Sequence, residues 1–387
     1  EITHIAHAAD TVRKHLVGDE VTYCVNRNIN YTNVCYFKCQ FCAFSKGKMS
    51  ENLRGRPYDL SHEEIMRRTR EAYDRGASEV CLQGGIHPEY TGQTYLDICH
   101  TIKQVVPDMH IHAFSPLEVW QGAKTLGQTL PEYLTALKEA GLGTLPGTAA
   151  EILDDEVRAT LCPDKINTAQ WLEVMEAAHG VGFNTTATIM YGHIEHYEHV
   201  ARHLLRVRAL QEKTGGFTEF VILPFIHMES PIYLKGNARK GPTFREAILI
   251  HAIARLTLNP VFKNIQASWT KLGHEGVKAC LNAGVNDIGG TLMNETITRA
   301  AGAAHGQETS PEEMETLIRS AGRNPRQRAT NYGVVPEVQR QKSFGASVLT
   351  EPSYTSAKRY DRDKTKREPL VRPGLASEET LSSAEII

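Results

Sequence analysis

Short apolar runs alternate with amphipathic helical stretches along most of this chain, and nothing else in it narrows the fold as much. The runs fall at 21–34, 79–85, 110–115, 143–148, 183–192, 219–226, 264–269 and 286–292. Between them lie stretches such as SHEEIMRRTREAYDRG, LPEYLTALKEAG, TAQWLEVMEAAHGVG and TFREAILIHAIARLTL. Their apolar positions recur at helical spacing, and several open on Ser or Thr and close on Gly. SHEE at 61–64 has the Ser-x-x-Glu form of a capping box. Eight strands, each followed by a helix, call for an α/β fold of the (β/α)8 TIM-barrel type. An open doubly wound sheet is the competing arrangement. It lacks its usual sign here, because no Gly-x-Gly-x-x-Gly turn follows the first strand.

Residues 1–20 are polar and helix-like, the barrel pattern occupies 21–332, and 333–387 turn polar, charged and proline-broken. That last stretch is expected to be an extended or disordered tail. Composition serves mainly to exclude. A formal net charge of -2 in 387 residues gives no support for nucleic-acid binding. No apolar run approaches the roughly 20 residues of a membrane span. The N-terminal stretch has no secretory apolar region, so a cytoplasmic location is expected.

Eight cysteines stand at 24, 35, 39, 42, 81, 99, 162 and 280, and only three of them cluster. Cys35, Cys39 and Cys42 form C-x3-C-x2-C at the end of the first strand. Structural zinc asks for four ligands, commonly as paired knuckles. His62 and His87 are the nearest candidates to complete such a site, and neither stands at ligand-like spacing. A 4Fe–4S cubane normally takes four thiolates, so three would leave one iron open to a non-protein ligand. Three buried cysteines acting as small hydrophobes is the blander alternative, and the density of thiols beside Lys38 and Lys46 argues against it. A zinc-stabilised, non-catalytic barrel stays open at this point. The five isolated cysteines are expected to be packing residues.

With Phe41 before its last cysteine, the motif resembles the C-x3-C-x-aromatic-C of radical S-adenosylmethionine (SAM) enzymes. The resemblance implies one 4Fe–4S cluster on Cys35, Cys39 and Cys42, with SAM on the open iron and Phe41 beside its adenine. An electron from an external donor would then cleave SAM to methionine and a 5′-deoxyadenosyl radical, chemistry that belongs to the cofactor. A narrower resemblance rests on VNRNINYTNVCYFKCQFCAFSKG, EVCLQGGIHPE, MHIHAFSP, PGTAAEILDDEVR, TIMYGH, GGFTEFVILPFIH, NIQASWTKLG and NDIGGTLMNETI, from about Val21 to about Arg328. Together these are similar to the tyrosine-using half of FO synthase, which makes a deazaflavin chromophore. That implies transfer of the 4-hydroxybenzyl group of L-tyrosine to C5 of 5-amino-6-(D-ribitylamino)uracil, with release of 2-iminoacetate and 5′-deoxyadenosine. A separate radical SAM subunit would close the third ring. One C-x3-C-x2-C implies the unfused half. Menaquinone-pathway aminofutalosine enzymes share the motif and the TNVC context, and are the runner-up.

The same resemblance assigns SAM contacts to Gly84 and Gly85, although Ile86 replaces the acidic residue usual after the glycine pair. Glu151 is a candidate polar SAM contact, whereas Arg158 is expected to be an exposed helix residue. His193 and His227 follow the fifth and sixth strands, where barrel active sites lie, and are the weak candidates for proton transfer. Tyr191 and His112 are placed similarly. Asn30, Thr32 and Asn33 are expected to shape the cysteine loop through side-chain to backbone hydrogen bonds. Gly289 and Gly290 end the eighth strand and could offer backbone N–H groups to a ribityl chain or to SAM.

Overall fold

A computed structural model describes residues 2–45 and 56–354. Its ten strands are β1 (Glu20–Cys24), β2 (Asn26–Ile29), β3 (Glu79–Leu82), β4 (His110–Ala113), β5 (Thr144–Leu145), β6 (Asn184–Tyr191), β7 (Phe217–Pro224), β8 (Asn264–Ala267), β9 (Asp287–Gly290) and β10 (Asn324–Arg328). All are parallel, in the order β10-β1-β9-β8-β7-β6-β5-β4-β3-β2. Val25 alone separates β1 from β2, so the first strand of the barrel pattern reaches both ends of this order. The sheet therefore curls, with β9 on one edge of that strand and β3 on the other.

Strand periodicity explains how the barrel is filled. Val21, Tyr23, Val80, Ile111, Ala187, Ile189, Phe220, Ile222, Ile265 and Ile288 are fully buried toward the surrounding helices. Their neighbours of opposite parity, among them Asn26, Asn28, Glu79, Cys81, His112, Thr186, Thr188, Glu219 and Gln266, line the lumen. The apolar layer lies outside the barrel wall and the polar layer inside it.

Four local features differ from expectation. The strand at 21–34 breaks at Val25, and only Thr144–Leu145 of 143–148 is a strand. β10, with the sequence NPRQR, was not expected at all. It pairs with β1 from Glu20↔Asn324 to Cys24↔Arg328, while β3 pairs with β2, and so it wedges into the base of the wall. Its position at the end of the sheet order tolerates Pro325, which has no N–H to donate. Lastly, the supposed tail opens with a helix, Glu337–Ser343. Gln339 Nε2 donates to Tyr73 O at 2.7 Å and Ala77 O at 3.0 Å. Beyond that helix the chain runs along the helix His62–Asp74, where Thr350 N donates to Glu71 at 2.6 Å and Ser353 N to Glu64 at 3.2 Å. The rest of the expected tail, 355–387, lies outside the described residues.

Helix caps follow the sequence closely. Thr129 with Glu132, and Thr243 with Glu246, form reciprocal boxes. Ser61 completes only half of one: it accepts from Glu64 N, but the Glu64 carboxylate turns to Arg67 and Arg68. Among the described residues no helix is long and apolar enough to cross a membrane.

Candidate active site

Beyond β2 the chain runs extended into the cysteine motif and is held by its own polar side chains. Asn30 Nδ2 donates to Gln83 O at 3.2 Å, Thr32 Oγ1 to Tyr58 O at 2.7 Å and Asn33 Nδ2 to Arg56 O at 3.2 Å. These are the side-chain to backbone bonds expected of the three residues. The glycine pair supports the same segment from beneath. A Cβ on Gly85 would lie 2.2 Å from Val34 O and 3.0 Å from Cys35 Cβ, and one on Gly84 would enter the Tyr31 ring. Only glycine lets β3 deliver its loop this close to the first cysteine.

Cys35, Cys39 and Cys42 are all half-buried and free. Gln40, between them, is tied to neighbouring loops, donating to Leu161 O at 2.9 Å and accepting from Ile232 N at 2.7 Å. Burial pushes the Cys35 thiol up to about 11 and raises Cys39 and Cys42 as well; Lys165 pulls all three down. Backbone N–H groups of Ile86 and Phe37 face the Cys35 sulfur, and those of Ser45 and Phe44 face Cys42. N–H donors and a cation directed at buried sulfurs favour thiolate and are the surroundings of an iron–sulfur ligand set. The three sulfurs do not all approach within 4.8 Å of one another. One zinc ion with sulfur ligands at about 2.3 Å would need closer convergence. The donor set, three thiols facing N–H groups and a cation, suits an iron–sulfur cluster.

Lys165 escaped the reading of the sequence. Buried, it reaches Glu151 Oε1 at 2.6 Å and lies 5.4 Å from the Phe41 ring centre. Burial alone would lower its pKa, but Glu151 and the thiols of Cys39 and Cys162 more than offset this and hold it charged. Glu151 thus belongs beside the cysteine loop, and it has φ 45°, in the left-handed region. Arg158 explains how that strained loop is held. Expected to be exposed, it is buried with its guanidinium donating to the carbonyls of Ala149, Ala150, Ile152 and Ile166.

Below the loop, the barrel lumen encloses a cavity of about 240 Å³. At its base Arg328 meets Asp287 at 2.6 Å and Glu219 at 2.9 Å. Nearer the mouth it is lined by Asn28, Gln83, Thr148, Ser268, Lys271 and Glu295. His112 lines it too, with Nδ1 against Thr144 Oγ1 at 2.7 Å. Gly290 also lines the cavity, where a Cβ would lie 2.1 Å from Asn26 Oδ1, while neighbouring Gly289 has φ 77°.

The two histidine candidates sit elsewhere. His193 Nε2 donates to Met190 O at 3.1 Å and its Nδ1 accepts from Ile194 N at 2.8 Å, while burial lowers its pKa. Tyr191 has the parity of Ala187 and Ile189, which point away from the lumen. His227 packs edge-on to Tyr233, with ring centres 4.5 Å apart. None of the three lines the cavity. His62 is bonded to Thr101 at 2.6 Å, and His87 stacks on Tyr90. One group of ligand atoms does converge among the described residues, Asp154 with Glu156 and His199, but Arg202 and Arg206 already neutralise Asp154 at 3.0 and 3.2 Å.

Comparison with known proteins agrees with this site. Residues 29–207 match the model of the radical SAM superfamily, and 214–341 match the CofH/MqnC C-terminal region. The chain is 50% identical over 343 residues to FO synthase of Streptomyces avermitilis, covering 89% of this chain but 39% of that protein. It therefore spans about two fifths of the length of such FO synthases. It is 48% identical to the 5-amino-6-(D-ribitylamino)uracil--L-tyrosine 4-hydroxyphenyl transferase of Methanothermobacter thermautotrophicus, over 86% of this chain and 89% of that one. In fold it is similar to methylornithine synthase, with TM-score 0.64 and 18% identity over 84% of this chain and 89% of that one. It is also similar to the hydrogenase maturase HydG of Carboxydothermus hydrogenoformans, with TM-score 0.62 and 16% identity over 85% and 72%. The cysteine loop, the barrel and these likenesses agree: the chain belongs to the radical SAM superfamily and, within it, to the family of the 5-amino-6-(D-ribitylamino)uracil--L-tyrosine 4-hydroxyphenyl transferases.

Proposed function

We propose that this chain is a radical SAM transferase that moves the 4-hydroxybenzyl group of L-tyrosine to C5 of 5-amino-6-(D-ribitylamino)uracil, with release of 2-iminoacetate. The observation that carries the reading is the 48% identity spanning 89% of the transferase. In this reading Cys35, Cys39 and Cys42 hold a 4Fe–4S cluster, and SAM lies against Phe41, Gly84, Gly85 and Glu151. Bound there, cluster and SAM would supply radical chemistry for the attack on tyrosine.

The chain's own residues position, neutralise and enclose. Gly85 sets the height of Cys35 through its contact with Val34. Lys165 offsets the negative charge of the ligated thiolates and fixes Glu151 beside Phe41. The polar lumen receives the two substrates and keeps bulk water from the reacting atoms. His193, with both ring nitrogens occupied, keeps the loop after β6 in shape, and His227 braces Tyr233. An external electron donor and a separate ring-closing subunit complete the pathway step, in a cytoplasmic setting.

The menaquinone-type alternative draws on the C-terminal match, whose description names CofH and MqnC together. Product analysis separates the two. Anaerobically reduced enzyme given SAM, L-tyrosine and the diaminouracil is expected to form the benzylated adduct, read by mass spectrometry. Formation of 5′-deoxyadenosine that does not depend on tyrosine would overturn the proposal. Metal analysis tests the zinc-barrel alternative: four irons and four sulfides are expected, and stoichiometric zinc without iron would end the reading.

A further inference from the structure

Three basic side chains line the cavity: Arg328, His112 and Lys271. Two are committed. Arg328 is held by Asp287 and Glu219, and His112, kept neutral by burial, is bonded to Thr144. Lys271 is not. The polar neighbour of its Nζ is Thr298 Oγ1 at 3.5 Å, the limit of a hydrogen bond. Glu295 and Glu151 act on it through space, and among the described residues it forms no ion pair with either. Burial draws its pKa below that of an ordinary lysine. A half-buried ammonium without a contacting counter-ion is unfavourable, and among the described residues only the more distant Glu295 and Glu151 offset part of that cost.

Its setting is rigid and lies at the reactive end of the barrel. Lys271 stands four residues beyond β8, at the mouth where barrel enzymes bind substrate. Gly273, at φ 66°, breaks the helix Trp269–Leu281 after one turn. Trp269 Nε1 locks that turn to Gly290 O at 2.8 Å. The carboxylate of Glu295, on the same rim, is held by Thr298 N at 2.9 Å.

We infer that Lys271 is the residue that receives the carboxylate of the amino-acid substrate, L-tyrosine, a binding assignment that rests on the function proposed above. A lysine with an acidic neighbour complements a zwitterionic α-amino acid. The uracil substrate carries no full charge to match it. SAM also has an α-amino-acid end, which in the present reading is engaged by the open iron.

The test compares wild type, Lys271→Met and Lys271→Arg, each with a reconstituted cluster. Adduct formation by wild type is the control: its absence refutes the functional reading, whatever Lys271 does. Given that control, Lys271→Met is expected to raise KM for L-tyrosine and its calorimetric Kd by 30-fold or more. KM for SAM should stay within threefold, and Lys271→Arg should recover most of the loss. Tyramine, which lacks the carboxylate, should bind wild type and Lys271→Met alike. Unchanged iron content and melting temperature show that the variant is folded; if either falls, Lys271→Arg and the tyramine comparison in wild type decide. Unchanged tyrosine affinity in Lys271→Met, or a selective rise in KM for SAM, would overturn the assignment. Equal wild-type affinity for tyramine and tyrosine would do the same.

Discussion

The two ends of the barrel hold similar numbers of charged groups and treat them in opposite ways. At the base, Arg328 is shared by Asp287 and Glu219, Tyr332 donates to both carboxylates, and Thr22 adds a 2.6 Å bond to Asp287. Glu79 takes Thr330 at 2.6 Å and Asn26 at 2.9 Å. Every one of these groups is answered from within the chain. At the mouth, Lys271 has no ion partner among the described residues, Glu295 accepts from backbone N–H, and three thiols sit above their ordinary pKa. Charges that answer one another hold a wall together, while charges left with capacity wait for a ligand. Barrel enzymes generally divide their faces in this way.

The sharpest way to break this contrast is to remove one thiol from each kind of place. Cys39→Ala is expected to abolish cluster assembly, with iron content falling to background and adduct formation undetectable. Cys280→Ala, in the outer apolar layer, should keep the full iron and sulfide content. A complete cluster in Cys39→Ala would mean that the ligands are elsewhere.

Next in size is Arg328→Met. It strands Asp287 and Glu219 with no counter-charge and should cost about 3–5 kcal/mol by denaturant titration of the cluster-free protein. A loss under 1 kcal/mol would show that the base is held by packing instead.

The smallest effect concerns pH. Burial and neighbouring Asp287 push Glu219 up to about 7 from 4.5, against the pull of Arg328. A carboxyl raised in the folded state stabilises fully below its unfolded pKa, and that stability is lost as pH climbs through 7. Between pH 6 and 8 the loss is about 1 kcal/mol. Glu219→Gln should flatten that alkaline limb in melting experiments. It should leave the acid limb, where buried His110 and His251 resist protonation down to about 4, as in wild type.

Much of the barrel was readable because its outer layer obeys simple periods: Ile111, Phe220 and Ile265 alternate, and Thr129 and Thr243 cap their helices. β10 was not, since NPRQR serves the lumen with charge rather than the core with apolar area. The cysteine motif stands out in the sequence because its members are neighbours in it. Lys165 and Lys271 do not, because their meaning depends on Glu151, Glu295 and Phe41 arriving from remote loops. Parity at the end of β6 would have turned Tyr191 and His193 outward, had the strand register been known. Arg158 misled for a related reason: a helical arginine looks solvated until the carbonyls it fastens are seen.

The wedge of β10 beside β1 also sets an order of events in time. Glu20 pairs with Asn324, 304 residues later. At about 5–20 residues per second of synthesis, that partner follows after roughly 15–60 s. The cysteine motif leaves the ribosome near the start of this interval and the base is sealed only at its end. Sealing the base thus comes late in synthesis, and a ribosome stalled before Asn324 would hold a thiol-bearing strand with one edge still unpaired.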